Sequence, residues 1–195
     1  MKQMKVFCVE GCHGVGKSSL LEGLQQSYPV LDEMFTDMPS YNFISSQSLP
    51  MEFIWVANWF QRLLKIYTTD YHPIVFADRS PYSAVYYSKS GSETQNQLKL
   101  LIKSMTLELK NHGIQIETIC VQVSKNILWN RICQRLQLQQ FRLQYNEDSY
   151  EWMEKTWQFF NDFDWDHRIT NDEEIVTDLG DHLINKLQEV GIVVE

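Results

Sequence analysis

The segment from Gly11 to Ser18 constrains the fold of this chain more than any other stretch of its sequence. It reads G-C-H-G-V-G-K-S, which fits the pattern G-x-x-x-x-G-K-[ST] in full, and it directly follows an apolar run that ends at Val9 and Glu10. Glycines allow backbone N–H groups to turn toward phosphate oxygens, and a helix beginning near Lys17 would face them with its positive end. The pattern therefore predicts a strand, a phosphate-binding loop and a helix in succession.

The rest of the chain alternates between short apolar runs and longer segments with helical spacing. Strands are predicted at 6–9, 30–31, 74–77, 116–121 and 168–169, and helices at 18–26, 51–67, 95–111, 125–138, 148–160 and 173–190. Mostly continuous apolar strands that alternate with helices are typical of a parallel sheet covered on both faces. We expect an α/β fold of five parallel strands with helices on both faces, and a single domain over residues 1–195.

Composition excludes some partners. The net charge of −8, from 17 basic and 25 acidic residues, argues against a nucleic-acid polymer or an anionic membrane as partner. The four cysteines form neither a C-x-x-C pair nor a zinc-like cluster, so we expect reduced thiols. No apolar run reaches the roughly 20 residues of a membrane span, and the one at the N-terminus is short for a signal peptide. The expected location is the cytoplasm.

The predicted loop indicates a binding site for ATP together with Mg²⁺. Lys17 brings positive charge to the β- and γ-phosphates of ATP, and the Ser18 hydroxyl can hold Mg²⁺. The candidate ATP-binding residues from the loop are Gly11, Cys12, His13, Gly14, Val15, Gly16, Lys17, Ser18 and Ser19.

A second group of polar residues follows the third predicted strand. Asp78 at a strand end suits Mg²⁺ or a proton, and Arg79 offers a planar fork of donors to a transferring phosphoryl group. The alternative is a plain surface ion pair. Ser80 and Pro81 are typical of a helix start.

Arg131 and Arg135 lie one helical turn apart on the same predicted helix. Such a pair is usually a solvated surface, but on a lid over residues 131–147 it would bind ATP and stabilise transition-state charge.

These motifs together resemble the deoxynucleoside kinase and thymidylate kinase superfamily. The resemblance rests on the segment Val9–Ser19, on the triplet Asp78-Arg79-Ser80, on the Arg131-x-x-x-Arg135 pair and on the helix after Asp148. It covers nearly the whole chain and implies transfer of the ATP γ-phosphate to a 5′-hydroxyl or a 5′-monophosphate.

The resemblance also implies individual roles. Glu33 after the second strand would be the catalytic base, Asp78 would bear on Mg²⁺, and Arg79 would contact the reacting oxygens. Glu147 would bind a sugar 3′-hydroxyl. Lys17 completes the catalytic set.

Two departures from the family bear on the acceptor. Trp59 follows Ala57-Asn58 where thymidylate kinases have an arginine for the acceptor phosphate, which counts against a monophosphate acceptor. Deoxynucleoside kinases carry Phe-Gln on this helix, but Phe53 is followed here by Ile54, so Gln61 or Asn58 would have to read the base.

The candidate acceptor residues include an aromatic stripe that either stacks on a base or packs in the core. The full set is Glu33, Phe53, Trp55, Asn58, Trp59, Arg79, Tyr82 and Glu147, with Tyr86 beside them. The leading expectation is an ATP- and Mg²⁺-dependent kinase of thymidine or deoxycytidine. The alternatives are a thymidylate kinase and a non-catalytic P-loop module. The resemblance also suggests a homodimer.

Overall fold

The computed structural model describes residues 2–34, 39, 41–88, 91–172 and 179–194. Its strands are β1 (Met4–Glu10), β2 (Val30–Leu31), β3 (Ile74–Asp78), β4 (Ile114–Gln122) and β5 (His167–Thr170). Its helices are α1 (Lys17–Glu22), α2 (Leu49–Thr69), α3 (Ser83–Tyr87), α4 (Ser92–Asn111), α5 (Lys125–Leu138), α6 (Tyr150–Asp162) and α7 (Leu179–Glu189). A 3₁₀ helix covers Gln140–Tyr145.

The strands form one five-stranded sheet in the order β2-β3-β1-β4-β5. The sheet is parallel throughout. In its outer pairs Val30 lies opposite Phe76, and Ile119 lies opposite His167. Every residue of β3 is buried, as expected of a strand covered on both faces. The predicted α/β fold with five parallel strands is confirmed.

The chain separates into two compact units. The first contains Met1–Cys8 and Tyr28–Glu117, and the second contains Val9–Ser27 and Thr118–Glu195. In the first unit, Val6, Val75, Trp59, Leu63 and Ile102 belong to one buried apolar cluster. The expectation of a single domain stays a prediction.

In the second unit α1 packs against α7. Leu20 and Leu21 on α1 are buried, as are Leu183 and Leu187 on α7. This packing supports the segment that follows the phosphate-binding loop, because α1 begins at Lys17 itself.

Several element boundaries differ from the sequence pattern. The first helix ends at Glu22 rather than at Gln26, and turns with i to i+3 hydrogen bonds follow it from Gly23, a poor helix former. The segment after Pro81 contains a separate short helix, α3, that periodicity did not predict. The sixth helix begins after Ser149, whose hydroxyl accepts a hydrogen bond from the backbone N–H of Trp152.

The last predicted helix is described only in part. Part of the predicted helix at 173–190 lies outside the described residues, and α7 occupies the remainder from Leu179. None of the helices in the described part of the chain is long and apolar enough to cross a membrane.

Candidate active site

Lys17 lies inside the loop that the glycines form. Its ammonium Nζ donates hydrogen bonds to the carbonyl oxygens of Gly11, at 2.9 Å, and Cys12, at 3.0 Å. The side chain is buried, so the positive charge is held on the loop rather than in solvent. Because a phosphate would offer this ammonium stronger acceptors than two carbonyls, the arrangement suits an anion in the loop.

The loop needs glycine at three positions for reasons of conformation and space. Gly11, Gly14 and Gly16 have φ angles of 142°, 87° and 98°, a region that other residues rarely adopt. A Cβ atom at Gly11 would lie 2.7 Å from the carbonyl oxygen of Val121. The chain at Gly11 is therefore packed directly against the backbone of β4.

The same loop is packed against α5. A Cβ atom at Gly14 would lie 2.7 Å from Cγ1 of Ile132 and 3.2 Å from Cδ1 of Leu128. Arg131 on the same helix also contacts the loop, because its NH1 lies 3.5 Å from the carbonyl oxygen of Val15. The predicted arginine helix thus lies directly on the phosphate-binding loop, within one compact unit.

Arg135 belongs to a small charged cluster. Its guanidinium is paired with the carboxylate of Glu147, which also accepts a hydrogen bond from NH1 of Arg142 at 3.1 Å. Burial is the main cause that lowers the pKa of Arg135, and the charge on Glu147 opposes it. The Nε of Arg135 is buried without a hydrogen-bond partner among the described residues. Glu147, predicted to bind a sugar hydroxyl, is paired with two arginines in this structure, and its predicted role stays a prediction.

The remaining loop residues differ in exposure. Cys12 and His13 are buried, and the Sγ of Cys12 lies 3.6 Å from Nδ1 of His13. Ser18 and Ser19 are exposed at the start of α1. Ser18, the predicted Mg²⁺ ligand, is thus an exposed residue directly after the buried Lys17.

In the first unit, Glu33 and Arg79 are brought together although 46 residues separate them. Nε of Arg79 donates to Oε1 of Glu33 at 2.6 Å, and NH1 lies 3.4 Å from the hydroxyl of Ser83. The Arg79 side chain is buried, whereas the Glu33 side chain is 37% exposed. The pair therefore presents a fixed carboxylate at an accessible surface.

Arg79 adopts an unusual backbone conformation. Its φ angle is 74°, which is uncommon for a residue with a long side chain and requires support from its surroundings. That support includes the indole Nε1 of Trp59, which donates to the Arg79 carbonyl oxygen at 3.2 Å. Strain of this kind collects at functional sites, and the guanidinium of this residue is the one paired with Glu33.

The two tryptophans of α2 act on the backbone of this pair. Nε1 of Trp55 donates to the carbonyl oxygen of Glu33 at 3.0 Å, as Trp59 does to Arg79. Both rings are buried, and Trp59 is only 2% exposed. Of the two interpretations of the aromatic stripe, these contacts favour packing and positioning over stacking on a base.

Glu52 is a residue that the sequence interpretation missed. It is buried in the first turn of α2, and burial followed by the negative charge on Glu33 raises its pKa to about 8. The sequence did contain an indication that Glu52 is buried. Glu52 lies at helical spacing from Val56, Trp59 and Leu63, on the apolar face of α2. A carboxyl on such a face is expected to be either neutral or functional.

Other predicted acceptor residues lie elsewhere. Phe53 lines an apolar groove of about 320 Å³ together with Leu49, Pro50 and residues of α4. That groove is on another face of α2 from Trp55 and Trp59, so Phe53 is not brought together with the Glu33–Arg79 pair. Asn58 and Tyr82 are partly buried, and Tyr82 packs against the core of the first unit.

Asp78 is the last residue of β3 and is buried. Within the described residues, no group of three or more His, Cys, Asp or Glu side chains could hold a metal ion. A Mg²⁺ ion that arrives with ATP needs only one or two protein oxygens, because phosphate and water complete its coordination. The donor types of Ser18 and Asp78 therefore suit the predicted ion.

The sequence of residues 6–114 matches the model of a family described as AAA domain. A comparison with curated proteins finds no significant match. Among solved structures, polyphosphate kinase 2 from Arthrobacter aurescens TC1 is similar, with a TM-score of 0.55 and 13% identity. The similarity covers 83% of this chain and 56% of that one.

A second solved structure, shikimate kinase from Bacteroides thetaiotaomicron, is matched over 96% of this chain and 97% of that one. The identity is 15% and the TM-score 0.48. At 13% identity the likeness to polyphosphate kinase 2 concerns the α/β fold alone.

Proposed function

This chain belongs to the AAA domain family, and we propose that it is an ATP-dependent kinase that phosphorylates the 5′-hydroxyl of a deoxynucleoside. The observation that carries the proposal is the buried Lys17 ammonium, held on two carbonyls of a complete glycine-rich loop. The pairing of Glu33 with Arg79 supports the choice of a hydroxyl acceptor.

The donor half of the reaction is assigned to the loop and α5. Lys17 would exchange its carbonyl partners for the β- and γ-phosphate oxygens of ATP. Arg131 contacts the loop at the Val15 carbonyl oxygen, and Arg135 lies one turn further along α5. Positive charge from these two residues would stabilise the transferring phosphoryl group. Mg²⁺ would neutralise phosphate charge, with Ser18 and Asp78 as the oxygen donors assigned to it.

The acceptor half is assigned to Glu33 and Arg79. The acceptor hydroxyl oxygen forms a bond to the γ-phosphorus while the bond to the β–γ bridging oxygen breaks, and ADP leaves. The hydroxyl proton passes to Glu33. Because Oε1 of Glu33 is engaged by Arg79, we assign the proton to Oε2.

A neutral acceptor fits this charge arrangement better than a monophosphate. Arg79 is already paired with Glu33, and the carboxyl of Glu52 is close enough for the charge on Glu33 to affect it. A phosphate dianion placed here would meet carboxyl groups and a guanidinium that is already neutralised. Trp59, which stands where an acceptor-binding arginine would be expected, donates to the Arg79 carbonyl.

The test is an acceptor panel at saturating ATP and Mg²⁺. Thymidine, deoxycytidine, deoxyadenosine, deoxyguanosine and dTMP would be compared by kcat/KM, with ADP release and the phosphorylated product both measured. We expect thymidine or deoxycytidine to be the best acceptor. A kcat/KM for dTMP well above that of every nucleoside would replace the proposal with a thymidylate kinase. ATP binding without transfer to any acceptor would indicate a non-catalytic module.

A further inference from the structure

Asn171 is a buried polar residue to which the proposed reaction assigns no role. It follows β5 directly, and its backbone N–H donates to the carbonyl oxygen of Gln122 at 2.9 Å. Its side chain is 6% exposed. The backbone bond places Asn171 at the carboxyl end of β4 and β5, the edge at which parallel sheets bind their ligands.

The side-chain amide of Asn171 reaches into the phosphate-binding loop. Nδ2 donates to the carbonyl oxygen of Val15 at 2.8 Å, across 156 residues of sequence. The same nitrogen lies 3.0 Å from the position that a Cβ atom of Gly16 would occupy. Asn171 thus holds the one peptide group that joins Val15 to Gly16, and the absence of a side chain at Gly16 leaves room for it.

His182 on α7 is the second partner of that amide. Its Nε2 lies 3.3 Å from Oδ1 of Asn171. Because the Val15 carbonyl oxygen can only accept a hydrogen bond, Nδ2 must face it, and Oδ1 faces the His182 ring. Turning the amide over would place its oxygen against the Val15 carbonyl and lose the bond to Val15.

The consequence for the loop follows from the planar trans peptide bond. In such a bond the carbonyl oxygen and the following N–H point in opposite directions. Because Asn171 holds the Val15 carbonyl on its own side, the N–H of Gly16 is directed away from Asn171. Backbone N–H groups of this loop type are the donors that bind phosphate.

We infer that Asn171 is a positioning residue for phosphate binding, which acts by orienting the peptide between Val15 and Gly16. The inference rests on the proposed function only in that ATP or ADP must bind the loop. Arg131 also approaches the Val15 oxygen, but at 3.5 Å it is the more distant donor.

The test measures nucleotide binding alone, by titration calorimetry with ATP and ADP and no acceptor. Asn171→Asp keeps the shape and the acceptor for His182, but it replaces the donor at Val15 with a negatively charged oxygen. Asn171→Ala removes the donor without adding charge. We expect Asn171→Ala to weaken ADP and ATP binding about tenfold, the equivalent of one hydrogen bond, and Asn171→Asp to weaken it more.

Thr118→Val is the matched control. Thr118 is also buried in the second unit, and its hydroxyl donates to Oδ2 of Asp166 at 2.7 Å. It belongs to β4 four residues before Gln122, so its loss should lower the melting temperature without changing nucleotide affinity. If Asn171→Asp does not fold, His182→Ala provides the second route, since it releases the amide and should weaken ADP binding in the same direction.

Unchanged ADP affinity in folded Asn171→Ala and His182→Ala proteins would overturn the inference while leaving the proposed function intact. Equal losses of affinity in Asn171→Ala and Thr118→Val would reduce Asn171 to general stability and also overturn it. A wild-type protein that binds ADP but phosphorylates no acceptor would refute the proposed function alone. Failure of the wild type to bind either nucleotide would refute both.

Discussion

Lys17 is the residue on which the phosphate chemistry most depends, because its buried ammonium supplies the charge inside the loop. We expect Lys17→Ala to lower kcat by about two orders of magnitude or more, in line with the electrostatic share of phosphoryl transfer. Steady-state kinetics with the best acceptor measures this. Lys155→Ala, which removes an exposed lysine paired with Glu151, should be silent. Near-normal turnover in folded Lys17→Ala would refute the assigned mechanism.

The raised pKa of Glu52 leads to a prediction about how the stability of the protein depends on pH. Its pKa is raised from 4.5 to about 8, so between these values the folded protein holds a proton that the unfolded chain releases. The free energy of unfolding should therefore fall as pH rises from about 5 to 8, by up to about 1.4 kcal/mol per pH unit from this group. Glu52→Gln removes that loss and should be increasingly more stable than wild type toward pH 8.

Urea unfolding at pH 5, 6, 7 and 8 measures the Glu52 effect. Glu93→Gln, at an exposed position of α4, provides the control. A stability difference between Glu52→Gln and wild type that does not change with pH would show that Glu52 is ionised in the folded protein.

At the scale of elements, α2 is attached to the ends of β2 and β3 by its two indoles. Trp59→Phe keeps an aromatic ring but leaves the Arg79 carbonyl without its indole donor, which costs about 1–3 kcal/mol. Because that carbonyl belongs to the strained residue, we also expect kcat to fall by about tenfold, the effect of a 1.4 kcal/mol change in barrier. Urea unfolding and steady-state kinetics measure the two effects.

Trp157→Phe is the comparison for Trp59→Phe. Trp157 donates in the same way to the Val123 carbonyl oxygen, at 2.9 Å, from α6. The Trp157→Phe variant should be less stable than the wild type but should keep its kcat. If both variants reduce kcat equally, the indole of Trp59 has no particular effect on Arg79.

Glu147, in the segment after α5, has two possible roles that kinetics can distinguish. The resemblance assigned it to an acceptor hydroxyl, but its carboxylate is paired with Arg135 and Arg142. If its role is to hold these arginines, Glu147→Gln should raise the KM for ATP and leave the acceptor KM nearly unchanged. Initial rates with each substrate varied in turn decide between the roles. A raised KM for the acceptor alone would restore the hydroxyl assignment.

Residues that are neighbours in sequence were the predictable ones. Short runs with strand character indicated all five strands, although the run at residues 168–169 was weak, and the local spacing of the loop indicated its glycines, Lys17 and Ser18. Contacts between distant residues were not predictable, since they depend on how the elements pack. The Asn171 bond to Val15, the burial that raises the pKa of Glu52 and the pairing of Glu147 with two arginines are of this kind.

For the whole molecule, the net charge of −8 opposes the binding of an anion, so ATP must be bound by local donors around the loop. A nucleotide that binds only the folded protein stabilises it by mass action, by about 2.7 kcal/mol at one hundred times its dissociation constant. For a chain of this size that corresponds to a rise in Tm of about 5–10 °C. We expect ADP and ATP to produce this shift in a thermal scan. AMP, which lacks the β-phosphate that the loop would hold, should produce little. Lys17→Ala should lose the shift with ADP while keeping a Tm near that of the ligand-free wild type. An ADP shift that survives in Lys17→Ala would mean that the nucleotide binds away from the glycine-rich loop.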